Sequence, residues 1–209
     1  MGADTIGGVE DMKKNIIPHI MENFFTQPNY LVYENKPVVF TYAGQFVTLM
    51  GGKEQTVALI DYWNEECKKM GFDGIIIAEN GQSGVSGDLV GSDNQAYAYS
   101  YSWQYDARNS QKQMARNDLM AASGANIIAN VTMGWGRNPW TEKDAGEIFS
   151  EPSTTYETIL GIKEKMKTDP KYTKMILMTC WDEYGEGHFF CPTRVHGFGY
   201  LNAVRAAVT

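Results

Sequence analysis

Lysine and arginine are scarce and scattered in this 209-residue chain, 18 in all against 25 aspartates and glutamates, giving a net charge of -7. No basic cluster can hold a polyanion, which argues against nucleic acid as a partner. Cysteine is scarce too: Cys67, Cys180 and Cys191 are the three, and no two form a CxxC pair. Cys67 falls on a helical core position and Cys180 in a strand, where each reads as a small buried hydrophobe, and only Cys191 lies near candidate chemistry. Proline is infrequent, with 7 residues, and low-complexity runs are missing, which disfavours disorder. No apolar run reaches transmembrane length, so no membrane span is expected. The opening "MGADTIGGVED" is neither a signal peptide nor a myristoylation site, because Ile6 stands where a hydroxyl is needed. The residues assign no compartment; a periplasmic or extracellular one is compatible with an upstream leader.

What remains is an ordinary globular composition, 43% hydrophobic, 12% aromatic and 21% charged, enough for one sizeable core. Apolar strand-like runs alternate with amphipathic helical ones. Residues 9–25 carry Met12, Ile16, Ile20 and Phe24 at four-residue steps, interrupted by Pro18, which should kink or split the helix. A strand core follows at Val38–Ala43. Val57, Ile60, Trp63, Cys67 and Met70 then share a helical face closed by Gly71. "FDGIIIAENG" is a second strand. "AYAYSYSWQYD" alternates Tyr97, Tyr99, Tyr101 and Trp103 with small residues, a strand packed on both faces. "QKQMARNDLMAASG" reads as a helix ended by Gly124, and "NIIANVTMGW" as a fourth strand. Thr154 and Glu157 suggest a capping box for a helix with the stripe Tyr156, Ile159, Ile162 and Met166. "KMILMTCW" is a fifth, buried strand, and "GYLNAVRAAV" a closing helix. Such alternation implies βαβ units and a parallel sheet in an α/β fold. No composition shift marks a boundary, so residues 1–209 are expected to form one domain.

In parallel α/β folds functional side chains gather at the C-terminal strand ends. Three strands here end in polar chemistry: the second at Glu79–Asn80, the fourth at "GWGRNPW", the fifth at "WDEYGEGHFF". Within the last, Glu183 and Glu186 are three apart. On an extended strand they would face opposite ways, and Gly185 and Gly187 disfavour a helix. Both can serve one site only if the chain turns near Tyr184–Gly185. Two carboxyls so placed do not both ionise easily, and one becomes an acid while the other stays anionic. That division suits glycoside cleavage, and Trp181, Tyr184, Phe189 and Phe190 offer flat apolar faces for sugar rings. A solvated acidic loop is the plain alternative. Asp182, Glu183, Glu186 and His188 are also metal-ligand types, though no second ligand cluster accompanies them.

These residues carry a resemblance. "WDEYGEG" resembles the "NEWxEG" signature of glycoside hydrolase family 99 and of the WbsX-like glycosyltransferase family. "FFTQPNYLVYENKPVVFTY" and "VTMGWGRNPW" look like two further segments of those families, in the same order, and "GYLNAV" closes the chain as theirs do. The resemblance implies a (β/α)8 barrel of TIM type, with the five strands here as the fourth to eighth, so that the barrel is incomplete in this chain. Five parallel strands leave unpaired edges; an upstream segment, another chain or self-association is expected to cover them. It further implies a retaining activity on an α-mannoside or related oligo- or polysaccharide, without metal or cofactor. Glu186 would be the general acid/base, and Glu183 would deprotonate the substrate 2-hydroxyl, giving a 1,2-anhydro sugar. Asp182 replaces the usual Asn, Gly136 an acidic residue, and Cys191 a Glu. A WbsX-like transferase of polysaccharide biosynthesis is the runner-up, although no glycine-rich phosphate loop is evident. A non-catalytic glycan-binding partial barrel is the third reading.

The remaining candidates line the expected subsites. Trp135, Arg137 and Trp140 follow the fourth strand, and Arg137 is suited to sugar hydroxyls. Glu79 and Asn80 could bond hydroxyls or cap a loop. Tyr42 ends the first strand, where packing is equally expected. His188 reads as a substrate contact within the motif or as a hydrogen-bonded loop residue. Trp181, Asp182 and Tyr184 complete the substrate set.

Overall fold

The computed structural model describes residues 7–41, 45–80, 97–99, 107–136 and 147–209. The fold is mixed α/β with mostly parallel strand pairing, and it divides into two compact units, Met1–Ala98 and Tyr99–Thr209.

In the first unit a helical run opens with α1 (Gly8–Asp11) and continues through α2 (Ile17–Ile20), with π-helical turns at Met12–Ile16 and Met21–Phe25. Pro18 donates no N–H and its ring crowds the preceding turn. The chain accommodates it by widening: the Ile17 N–H donates to the Met12 carbonyl, five residues back. Each wide turn inserts a residue, so the inward face slips. Met12, Ile17 and Phe25 are buried, whereas Phe24, expected inside, is exposed. This is a correction to the four-residue stripe.

Strands β1 (Val32–Tyr33) and β2 (Lys36–Thr41) form an antiparallel hairpin. Its two turn residues, Glu34 and Asn35, have φ of 49° and 55°, the mirror-image turn that matches strand twist. After α3 (Gln45–Leu49), α4 (Lys53–Lys69) buries Thr56, Leu59, Ile60, Trp63, Asn64 and Cys67. Val57 is half-buried and Met70 exposed, so the packed face is turned slightly from the apolar count. Two polar members are bonded there: the Thr56 hydroxyl donates to Gly52 O, and Asn64 Oδ1 accepts from the Ile75 N–H at 2.9 Å, while Asn64 Nδ2 has no hydrogen-bond partner among the described residues. Gly71, at φ 93°, closes the helix as expected, with the Phe72 N–H reaching back to Cys67 O and its own N–H to Lys68 O. Strand β3 (Ile76–Asn80) lies parallel to β2 and is buried throughout. The core joins the helical run, α3, α4 and β3 through Phe25, Phe46, Leu59, Trp63 and Ile77. Burial lifts the Cys67 thiol to about 12, so it is an inert packing group there. Strand β4 (Tyr97–Tyr99) crosses the division between the units, and all three of its residues are buried.

The second unit is built on β5 (Asn126–Thr132) and β8 (Tyr172–Thr179), which run parallel with Asn130 opposite Leu177 and Thr132 opposite Thr179. Helix α5 (Ser110–Ala122) is capped by Asn109, whose side chain accepts from the Lys112 N–H, and Gly124 follows it at φ 98°. Two of its amides bind β5 directly. Asn117 donates to Asn130 O at 3.0 Å and accepts from Asn130 N at 2.9 Å. One turn earlier, Gln113 donates to Thr132 O and accepts from Thr132 N, both at 3.1 Å. Helical residues four apart thus match strand residues two apart, and all of these groups are buried.

Helix α6 (Pro152–Thr168) begins two residues before the expected capping box. Pro152 at its first turn needs no donor, Thr154 falls inside the helix, and Glu157 accepts from the Ser110 hydroxyl instead. Its buried face is Thr155, Thr158, Ile159 and Ile162, with Tyr156 exposed. Helix α7 (Gly199–Val208) packs on α6, and its Tyr200 hydroxyl donates to Ser150 O. Strand β8 is less buried than its composition suggests: Met175 to Met178 are half-exposed, which suits a strand that pairs with β5 alone among the described residues.

Candidate active site

Because β5 and β8 are parallel, their C-terminal ends lie together. After β5, the chain turns at Gly134 into β6 (Gly134–Gly136), which pairs antiparallel with β7 (Glu147–Phe149). After β8 it forms a second small hairpin, β9 (Asp182–Glu183) with β10 (His188–Phe189). The turn between them is a 3-10 segment, Tyr184–Glu186, followed by Gly187 in the left-handed region at φ 61°. The expected turn is therefore present, but the glycine it requires is Gly187. A Cβ on Gly187 would stand 2.7 Å from the Phe149 ring, while one on Gly185 would meet nothing within 4 Å. The two hairpins interlock here, and the Phe189 N–H points at Met133 Sδ at 3.1 Å.

The turn sets each carboxylate on a partner of its own. Trp135 Nε1 donates to Glu186 Oε2 at 2.6 Å. His188 faces Glu183 across the hairpin, with Nδ1 3.2 Å from Glu183 Oε2. The His188 side chain is 1% exposed and that of Glu183 is 43% exposed. Burial holds the His188 ring below its ordinary pKa. Glu183 beside it, the Thr179 backbone and the charge of Glu186 act in the opposite direction without prevailing. Both carboxylates therefore bear on one neutral, buried imidazole. The Thr179–Cys180 peptide leading into the site is cis.

Trp181 and Tyr184 are 56% and 55% exposed, Asp182 is exposed beside them, and Tyr184 stacks on Phe189 at 5.1 Å. Trp135, expected to line a subsite, is half-buried and anchors Glu186. His188 is turned inward to Glu183, the hydrogen-bonded alternative of its two readings. In the first unit, Glu79 and Asn80 are buried at the end of β3, and Asn80 Oδ1 has no hydrogen-bond partner among the described residues. Tyr42, Arg137 and Trp140 lie outside the described residues, as does Trp103. Two contributors escaped the sequence reading. Phe149, on a strand that was not anticipated, walls the turn, and Met133 receives the β10 backbone. The Gly-Trp-Gly run after β5 was the available signal for a tight chain reversal. All three cysteines are free thiols, Cys191 being buried and Cys180 partly so. Among the described residues, no three of His, Cys, Asp and Glu group as metal ligands, and no helix is long and apolar enough to cross a membrane.

Residues 92–204 match the family described as Glycosyltransferase WbsX, a stretch that takes in α5, β5, β8 and both hairpins. The chain belongs to the WbsX glycosyltransferase family. No curated protein and no solved structure matches it. Membership assigns this WbsX-like chain a glycan-related role and puts Glu183, Glu186, His188 and Trp135 within the matched region. The likeness of residues 24–42 to the same families falls outside it.

Proposed function

We propose that this WbsX-like protein cleaves an α-mannoside or related glycan with retention of configuration, using Glu183 and Glu186. One observation carries the reading: the turn at Tyr184–Gly187 leaves each carboxylate on a partner of its own, Glu183 beside the buried His188 ring and Glu186 on the Trp135 N–H. In the first step Glu183 takes the proton of the sugar 2-hydroxyl, and the 2-oxygen attacks the anomeric carbon. The glycosidic bond breaks as Glu186 gives its proton to the leaving oxygen, and a 1,2-anhydro sugar remains. Water then opens that ring at the anomeric carbon, losing a proton to Glu186, while Glu183 returns its proton to the 2-oxygen. Two inversions give net retention. The Trp135 N–H occupies Glu186 Oε2 as an acceptor, which leaves Oε1 to carry the transferred proton. Exposed Trp181 and Tyr184 supply faces for sugar rings, and the exposed Asp182 between them in sequence is suited to sugar hydroxyls.

The architecture that fits this chemistry is a (β/α)8 barrel of which the chain supplies about five βα units. The half-exposed β8 is compatible with a further strand from elsewhere. A second reading, transfer to a sugar hydroxyl instead of water, is favoured by the family match itself. Incubation with α-mannan oligosaccharides, beside Glu186→Gln, separates the outcomes. Cleavage lost in the variant supports the proposal, and equal cleavage in both overturns the acid/base role. A thermal shift with nucleotide sugars and none with free oligosaccharides selects the transferase.

A further inference from the structure

We infer that His188 is a positioning residue for Glu183: a buried, inward-facing ring that fixes where the carboxylate works while never touching the glycan. The inference rests on the proposed glycan chemistry of Glu183 and Glu186 and adds a role that this chemistry alone does not assign.

Three features of the site converge on it. First, His188 and Glu183 are directly opposed in the β9–β10 pair, so their Cβ atoms are held at cross-strand distance by the backbone. Second, the ring has no face toward solvent, whereas the Glu183 side chain does. A substrate therefore meets the carboxylate from outside and the imidazole grips it from within, at 3.2 Å from Nδ1 to Oε2. Third, the strand that carries the ring is itself held: the Phe189 N–H next to it points at Met133 Sδ at 3.1 Å, and the Thr179 backbone acts on the ring in the same direction as Glu183. Among the described residues, the charges that act on the ring are those of Glu183 and Glu186. With burial keeping the ring uncharged, the contact orients Glu183 without neutralising it through a full ion pair.

An exposed glutamate has three rotatable side-chain torsions, and only a fraction of its rotamers reach a given sugar hydroxyl. Fixing one oxygen leaves the other in a defined place. A misplacement of about 1 Å in a reacting group costs on the order of 100-fold in rate. Replacing the ring by an apolar side chain should therefore lower kcat and leave KM, set mainly by the aromatic rim, little changed.

The experiment compares wild type, His188→Leu and His188→Asn, the last because its amide nitrogen overlays Nδ1. On an oligosaccharide that wild type cleaves, His188→Leu should lose roughly 10- to 100-fold in kcat with KM within about two-fold, and His188→Asn should recover most of the loss. Full kcat in His188→Leu overturns the inference, as does an Asn variant no better than the Leu variant. A second measurement uses no substrate: the imidazole resonances of the free protein are titrated by NMR in wild type and in Glu183→Gln. Removing the carboxylate should move the His188 midpoint further down, and an unchanged midpoint refutes the contact. If wild type cleaves no glycan while that midpoint moves, the proposed function fails and the His188–Glu183 contact stands.

Discussion

Gly187→Ala, set beside Gly185→Ala, probes the turn on which the site depends. The two glycines are two residues apart in the same hairpin, yet their surroundings differ. At Gly187 the backbone has φ 61°, where a Cβ costs about 1–2 kcal/mol. The same Cβ would stand 2.7 Å from two atoms of the Phe149 ring, and moving a packed ring costs about 1–3 kcal/mol more. The loss for Gly187→Ala is thus about 2–5 kcal/mol. Gly185 has neither liability, and alanine there should fall within about 0.5 kcal/mol of wild type or slightly stabilise. Urea unfolding followed by circular dichroism gives both values from one assay. Pairing Gly187→Ala with Phe149→Ala should recover the ring portion, a coupling of about 1–3 kcal/mol, and leave the backbone portion in place. Equal costs at positions 185 and 187 would refute the reasoning, because the turn would then depend neither on the left-handed backbone of Gly187 nor on its contact with Phe149.

Three further outcomes follow from the same contacts. Asn117→Ala strips Asn130 of both its backbone partners on α5, and two buried groups left unsatisfied should cost about 2–6 kcal/mol in urea unfolding; a loss below about 1 kcal/mol would mean that water replaces the amide. Trp135→Phe keeps an aromatic ring and removes the N–H to Glu186, so turnover should fall about 10-fold, equivalent to about 1.4 kcal/mol, and unchanged turnover would show that the bond does not position the acid. For pH, the His188 pKa is lowered by burial, so below about 6.5 the unfolded chain takes up a proton that the folded one refuses. That group's contribution to stability is intact at neutral pH. It declines by at most about 1.4 kcal/mol per pH unit as pH falls from 6.5 toward the folded value. His188→Gln should flatten the decline, and parallel stability–pH curves for wild type and variant would contradict it.

Much of the fold was legible because local chemistry and packing agree. Gly71 ends α4 and Gly124 follows α5 where the apolar period breaks, and β3 and β5 each carry a short apolar core, Ile76–Ala78 and Ile127–Ala129. Legibility failed where a residue's conformation answers to a distant partner. The wide turns around Pro18 shift the buried face by a residue, which a fixed period of four cannot register. Glu34–Asn35 adopts a positive-φ turn without glycine, anchored by Asn35 bonds to Gly71 O and from the Asp73 N–H. Asn117 and Gln113 look like solvated helix residues until β5 arrives beside them. At the site, a turn between Glu183 and Glu186 was legible from their spacing and the glycines around them. That Gly187 makes the turn depends on Phe149, and the inward settings of His188 and Trp135 depend on hairpins drawn from two strand ends. Such long-range contacts leave no mark in local sequence.

The most direct test of the two-carboxylate account compares Glu183→Gln and Glu186→Gln on a glycosyl fluoride of the accepted sugar and on the unactivated glycan. Fluoride departs without protonation. Glu186→Gln should therefore release a first-turnover burst of fluoride at near the wild-type rate while losing on the order of 100-fold or more on the glycan, and Glu183→Gln should be slow on both. Wild-type turnover of the glycan by Glu186→Gln, or of the fluoride by Glu183→Gln, would contradict the account.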